Sequence, residues 1–402
     1  MITNNPTVIT RKSNSKRKNY LVFGQPQIDN ECINEVLTVL KSNWIGTGPR
    51  VKAFETQFRQ YKHIDYALAL NSCTAGLHLA LLGLGIKPGD EVLVPSMTFS
   101  ATVNTIEHVG AKPIFLDCDI KTMNVTLDEI KKKVTSNTKA IVVVHFAGRM
   151  VEEIEKIAAF AQSKNIRLIE DCAHAIETKI NDKQAGCIGD IGVFSFYATK
   201  NITTAEGGML ITNNKKAAEK IKILALHGMS KDAWKRFSDD GYKHYEIEYP
   251  GFKYNMTDVA AALGVVQLSK VENYYLKRAA VWRKYQRELK GLPVVLPKEP
   301  ETNERHAFHL FPILLEQEKV NISRDQLIMA LHNENIGTGV HYRAVHIQPF
   351  YRKKYSIAPE DLPNSNYISE RTLSIPFSQY LTEKDTDDVI NALKKILTNS
   401  VK

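Results

Sequence analysis

From about residue 70 the chain alternates short, almost wholly apolar runs with longer stretches whose apolar positions recur at helical spacing. Glu91–Pro95, Lys112–Asp117, Ala140–Phe146 and Arg167–Asp171 read as strands covered on both faces, because such strands need no polar alternation. Between them Thr74–Gly85, Ala101–Gly110 and Glu152–Lys164 carry the spacing of amphipathic helices. This βαβα order predicts an α/β fold with a mostly parallel sheet flanked by helices.

Further on, Ile191–Tyr197 and Gly208–Thr212 read as two more strands around the stretch 198–207. A helix follows from Lys215 to about His227. Residues 228–249 are polar and aromatic with little periodicity, as in a surface excursion. A continuous helical pattern from Thr257 to Leu289 predicts one long or kinked connector. Beyond it Pro293–Leu296, His306–Leu314 and Gly339–Tyr342 read as strands, and Ser323–Asn333 as a helix with Ser323 as N-cap. A closing helix begins near Thr382, with Glu383 and Asp385 suited to its positive end. The expected organisation is a disordered basic tail over 1–20, a large domain over 21–275 and a smaller α+β domain over 276–402.

Composition narrows the function. Apolar residues make up 43% and charged residues 24% of the 402 positions, an ordinary globular balance. No apolar run approaches the length of a membrane span, and the first twenty residues lack the apolar core of a secretion signal, so a cytoplasmic address is expected. The net charge of +9 invites a nucleic-acid reading, yet five of the basic side chains (Arg11, Lys12, Lys16, Arg17, Lys18) crowd into the first twenty residues with no acidic one. Such a tail is solvated in the commonest case, with contact to an anionic surface as the alternative, and it is too short for a helix-turn-helix. No nucleic-acid partner is expected. The cysteines at 32, 73, 118, 172 and 187 form no CxxC pair and no zinc spacing, so they read as reduced thiols with no metal to hold.

Candidate chemistry gathers at predicted strand ends. Lys200 follows an apolar strand and precedes a small, polar turn, and a lysine at a strand-end loop of an α/β sheet stands where ligands bind. Partly withdrawn from water, its amine loses affinity for the proton and becomes nucleophilic. Ser195, five residues earlier, offers a hydroxyl to a phosphate. Asp171 closes another strand and needs a cationic partner, such as a protonated pyridine nitrogen; capping the following turn is the plainer alternative. His174 stands either over such a ring or in a structural role. The run Asn71-Ser-Cys-Thr-Ala-Gly76 leads into a helix, which makes it an anion site or an ordinary cap by Ser72 or Thr74. Phe99 follows a strand end and either stacks on a flat ring or joins the core. No glycine-rich dinucleotide fingerprint and no GxxxxGK[ST] occurs. Together these residues supply a Schiff-base lysine, a carboxylate for a ring nitrogen, a phosphate cradle and a stacking aromatic.

With these motifs the chain resembles the sugar-nucleotide aminotransferases of the DegT/DnrJ/EryC1/StrS family, within the fold type I enzymes that use pyridoxal 5'-phosphate. The likeness runs from about Gln25 to Leu393. It includes Trp44–Pro49, Ser72–Ala75, Thr98-Phe99, Glu170–His174, Phe194–Gly208, Pro250–Asp258 and Gly337–His346. Around Ile202 and across Gly337–His346 it is nearest to the branch acting on UDP-4-amino-4-deoxy-L-arabinose. The resemblance implies that Lys200 binds the cofactor and shuttles a proton, that Asp171 pairs with the ring nitrogen, and that His174 and Phe99 flank the ring. Thr74, Ala75 and Ser195 match phosphate-binding positions. Lys253 and Asn255 match a segment that reaches the neighbouring subunit's phosphate, which implies a homodimer with shared sites, and His341 matches a sugar-nucleotide position. Cys73 stands where relatives often have Gly, and Ala205 replaces a frequent Gly. A dehydratase branch carries His at the lysine position, so Lys200 favours transamination. The implied reaction takes an amino group from L-glutamate, leaving 2-oxoglutarate, and gives it to C4 of a nucleotide-linked 4-keto sugar, UDP being the expected nucleotide. A 3-keto sugar nucleotide or a keto-inositol is the alternative acceptor. A non-catalytic binding or regulatory protein of the same fold would need either to have lost the lysine or to carry an appended DNA-binding module.

Overall fold

The computed structural model describes residues 16–230 and 246–402. Seven strands build the central sheet: β1 (Tyr66–Leu70), β2 (Glu91–Pro95), β3 (Lys112–Leu116), β4 (Thr138–Val144), β5 (Arg167–Asp171), β6 (Ile191–Ser195) and β7 (Gly208–Thr212). Their spatial order is β1-β7-β6-β5-β4-β2-β3. β7 is antiparallel to both neighbours, and every other pairing is parallel. The mostly parallel α/β sheet expected from the pattern is therefore present.

The strands are apolar almost throughout because both faces are covered. Leu93, Ile141, Val143, Leu168, Phe194 and Ile211 enter one core, while Val92, Val94, Val142, Ile169, Val193 and Leu210 enter the other, the alternation a pleated strand imposes. The helix Cys73–Gly83 lies so close to the sheet that a Cβ at Gly76 would fall 2.5 Å from Val193 Cγ1. The helices Asn30–Ser42 and Pro49–Lys62, together with β1, precede the alternation read from residue 70 and were outside it.

The connector is kinked rather than continuous. It consists of Asp258–Ser269 and Val271–Glu288, meeting at Lys270. The second helix spans two cores: Val271 and Tyr274 join that of the large sheet, whereas Trp282 and Tyr285 pack with Phe311, Leu331, Leu373 and Leu393. This last core underlies a three-stranded sheet of Val294–Val295, Phe311–Leu315 and Thr372–Ile375. Its helices Arg324–Asn333 and Glu383–Thr398 both open with capping boxes, Ser323 with Gln326 and Thr382 with Asp385.

Several expectations need correction. The run Gly339–Tyr342 forms no strand; Gly339 makes a single bridge to Ser374. In His306–Leu314 pairing with the small sheet begins only at Phe311, and 306–310 is loop. The helix after β7 ends at Leu224, and the middle of the predicted excursion, 231–245, lies outside the described residues, as do residues 1–15 of the predicted tail. In the remainder of that tail residues 16 and 18–20 are exposed, but Arg17 is held against the protein. Arg17 reaches Asp385 Oδ1 at 2.6 Å and Asp388 Oδ2 at 2.7 Å, and its carbonyl accepts from Asn335 Nδ2 at 2.7 Å. Among the described residues, no helix is long and apolar enough to cross a membrane.

Candidate active site

Because six of the seven strands run the same way, their C-terminal ends share one edge of the sheet, where β7 begins. The loops after Leu70, Pro95, Val144, Asp171 and Ser195 therefore converge there. This is the edge at which open α/β sheets bind ligands.

Asp171 and Lys200 both stand at that edge. Asp171 is buried; it accepts from the Ala173 amide at 3.0 Å and from the Thr102 hydroxyl at 2.8 Å. Burial pushes its carboxyl above the ordinary carboxylate range, while those two donors and the Lys200 charge hold it down. Lys200 sits in a tight loop closed by its own amide to the Tyr197 carbonyl at 2.9 Å and by Thr204 N–H to the Phe196 carbonyl at 3.0 Å. Loss of water lowers its amine to about 8, with Cys73 and Asp171 pulling the other way. An amine so placed is partly neutral near physiological pH, the state a nucleophile needs. The neighbouring Glu170 side chain belongs to the scaffold: it pairs with His145 at 2.9 Å and accepts the amides of Gly186, Ile188 and Gly189.

Histidines line one wall. His174 Nδ1 accepts from the Ala147 amide at 3.2 Å, so in its neutral form Nε2 carries the proton and donates to Tyr342 Oη at 3.1 Å. Burial, with Lys200, His309 and His341 nearby, keeps its pKa well below the usual range and the ring neutral. His309 lies against it, ring centroids 4.4 Å apart. His309 is fixed from behind by Asn201 Oδ1 at 2.9 Å; Asn201 Nδ2 donates to Glu177 at 2.8 Å and to the Ala307 carbonyl at 3.0 Å, and Glu177 pairs with the buried Arg278. His341 joins the same cluster, its pKa lowered by burial and by Lys200 to about 3. Phe99 is 59% exposed and 6.0 Å from the Tyr342 ring, so the core alternative for Phe99 is excluded.

At the head of the helix Cys73–Gly83, Ser72 is the N-cap and accepts the Ala75 amide at 3.1 Å. The plain capping reading is thus correct for Ser72, while the amides of Cys73 and Thr74 belong to the open first turn. Ala75 itself is buried, its amide already used. Ser195 ends β6 opposite Gly208, and its hydroxyl accepts from the Tyr197 amide at 3.4 Å. A Cβ at Gly208 would fall 2.5 Å from the Ser72 carbonyl carbon, so only glycine lets strand and turn approach this closely. Lys253 and Asn255 run beside this turn in their own chain: Asn71 donates to the Lys253 carbonyl at 3.2 Å, and Asn255 Nδ2 donates to Thr47 Oγ1 at 2.5 Å.

These groups fit pyridoxal phosphate: a depressed amine and a buried carboxylate on one edge, a glycine-spaced helix terminus for an anion, and an exposed aromatic beside them. Thr102, Tyr342, His309 and the Asn201–Glu177–Arg278 chain escaped the sequence reading. Thr102 follows Thr98 by one helical turn, Asn201 adjoins Lys200 and Tyr342 adjoins His341, so each had a weak local signal. His309 had none.

Comparison with known proteins agrees with this geometry. The profile of the DegT/DnrJ/EryC1/StrS aminotransferase family matches residues 26–394. The uncharacterised protein MJ1066 of Methanocaldococcus jannaschii is 45% identical over 96% of this chain and 99% of its own length. The spore coat polysaccharide biosynthesis protein SpsC of Bacillus subtilis is 43% identical over 95% of this chain and 98% of its own. Spr1654 of Streptococcus pneumoniae, solved in apo, PLP and PMP forms, superposes in the PLP form with a TM-score of 0.86 at 29% identity, covering 94% of this chain and 99% of that one. With a fold type I sheet, a lysine and an aspartate at its ligand-binding edge, and a profile match across nearly its whole length, the chain belongs to the DegT/DnrJ/EryC1/StrS family of sugar aminotransferases, which work with pyridoxal 5'-phosphate.

Proposed function

We propose that the enzyme transfers the amino group of L-glutamate to C4 of a 4-keto sugar linked to UDP, within cell-surface glycan or lipid A sugar synthesis. The carrying observation is the pair at the sheet edge: an amine held at about 8 and a buried carboxylate fixed by two donors. The relationship to a spore coat polysaccharide protein supports a glycan role, and the arabinose-type stretch Gly337–His346 supports C4 as the site of amination.

Bound pyridoxal phosphate supplies an electron-accepting ring that stabilises negative charge at the carbon bearing the amine. Lys200 would anchor the cofactor, and its amine, held at about 8 in this site, would serve as the base and acid that moves the proton in both halves of the reaction. Asp171 holds a proton on the ring nitrogen, and Thr102 with the Ala173 amide keeps that carboxylate oriented. His174, neutral and tied to Tyr342, and the exposed Phe99 would flank the ring. Thr74 and Ser195 would grip the phosphate, joined by Lys253 and Asn255 from a second copy in a homodimer; Ala75, whose amide is taken by Ser72, gives the turn only its small size. His341 meets the keto sugar. A cytoplasmic site of action accompanies this reading.

The test is amination by purified enzyme with L-glutamate against a panel of keto-sugar nucleotides and keto-inositols. A 4-amino product from a UDP-linked 4-keto sugar is expected. Amination at C3 only, of keto-inositol only, or of nothing would overturn the assignment.

A further inference from the structure

We infer that Phe23 is a positioning residue for the acceptor half of the reaction: from an N-terminal strap it holds the His341 ring in the pose that meets the keto sugar. This rests on the place proposed above for His341.

The strap is fastened at both ends. At its start Arg17 is pinned between Asp385 and Asp388 of the closing helix. Leu21 then pairs with the small domain's chain, its amide to the Asn335 carbonyl at 2.8 Å and its carbonyl from the Gly337 amide at 2.8 Å. Gly24 reaches the other side, where a Cβ would fall 3.1 Å from Thr199 Cγ2, the residue before Lys200. The eight residues from Arg17 to Gly24 thus tie the helix Glu383–Thr398 to the lysine loop, and Phe23 lies between the anchors.

The geometry around His341 assigns Phe23 its task. The two rings stack with centroids 5.3 Å apart and an interplanar angle of 29°. His341 Nδ1 is taken by Ser374 Oγ at 2.9 Å, and Tyr342 meets the ring edge-on at 5.0 Å. Gly339 presses on its margin: a Cβ there would fall 2.7 Å from His341 Cε1 and 3.4 Å from Phe23 Cε1. One nitrogen, one edge and one face are therefore committed, which leaves Nε2 for a ligand. Without the phenyl one face of the ring would stand open and the ring could tilt about its hydrogen bond and its edge contacts; the stacked phenyl removes that freedom. Neither the tail reading nor the family motifs had marked Phe23.

The two half-reactions separate this role from mere stability. The holoenzyme would be followed by its cofactor spectrum in single turnover with L-glutamate, and in steady state with a UDP-linked 4-keto hexose. Phe23→Ala should raise the acceptor KM about tenfold, equivalent to ~1.4 kcal/mol, and leave the glutamate half-reaction within about twofold. Phe23→Leu keeps apolar bulk without the ring; it should melt near wild type yet share the raised KM. Phe23→Tyr should restore the KM. An unchanged acceptor KM in both the Ala and Leu variants, or an equal fall in both half-reactions, would overturn the inference. A wild type that consumes glutamate but ignores every keto sugar would overturn the substrate reading and this inference together, whereas an active wild type with unmoved variants removes the inference alone.

Discussion

The Thr102 hydroxyl donates to Asp171 Oδ2 at 2.8 Å, and it is itself 2.8 Å from the Thr98 hydroxyl. An ionised carboxylate only accepts, so the protons run from Thr98 to Thr102 to Asp171. This chain steadies a charge that burial otherwise opposes.

Thr102→Val removes that donor. The Asp171 carboxyl, already raised by burial, should rise further, since the charged form loses a donor worth about 1.5–3 kcal/mol. The acid limb of kcat/KM against pH should move upward with it. An unmoved limb would mean that Asp171 does not control it.

Lys200 gives a stability signature without turnover. Its amine sits at about 8 in the folded chain against the ordinary 10.5. Between those values the unfolded chain binds more protons, so stability rises with pH across the window, and below it the burial penalty is fully present. In cofactor-free protein, Lys200→Met should therefore melt above wild type at about pH 7, the gap closing towards about pH 10. A gap independent of pH would contradict a depressed amine.

Gly208→Ala places a methyl group against Ser72 and Cys73. Relief of that overlap should cost about 1–3 kcal/mol and open the turn that holds the phosphate. Thermal melts and spectral titration with pyridoxal phosphate measure the two effects. Wild-type affinity would show that the turn is not the anion site.

Glu177→Gln leaves the buried Arg278 without its counter-charge. A loss of about 3–5 kcal/mol is expected by denaturant titration. Because Asn201 hangs from Glu177 and His309 from Asn201, the same variant should loosen the His309–His174 stack. A loss below ~1 kcal/mol would mean that the charge escapes to water.

The sequence made legible what lies in one strand and its loop. The doubly covered strands read directly from unbroken apolar runs, and Lys200 and Asp171 from their places just past strand ends. Contacts made across the chain were hidden. Thr102 meets Asp171 from another strand's loop, His309 meets Asn201 from the loop before Phe311–Leu315, and Phe23 meets His341 from the opposite terminus. The helix Pro49–Lys62 was missed for a related reason: its few apolar residues find their partner far along the chain, Phe54 packing where Gly264 leaves room. The tail was misread at Arg17, since composition counts a charge but cannot see Asp385 and Asp388 waiting for it.

The central claim is that the Lys200 amine carries the cofactor. Borohydride reduction of the holoenzyme, followed by peptide mass analysis, tests it most directly. The pyridoxyl phosphate mass should be fixed on Lys200, and Lys200→Ala should take up none. Labelling of a different lysine, or equal labelling of the Ala variant, would contradict the account.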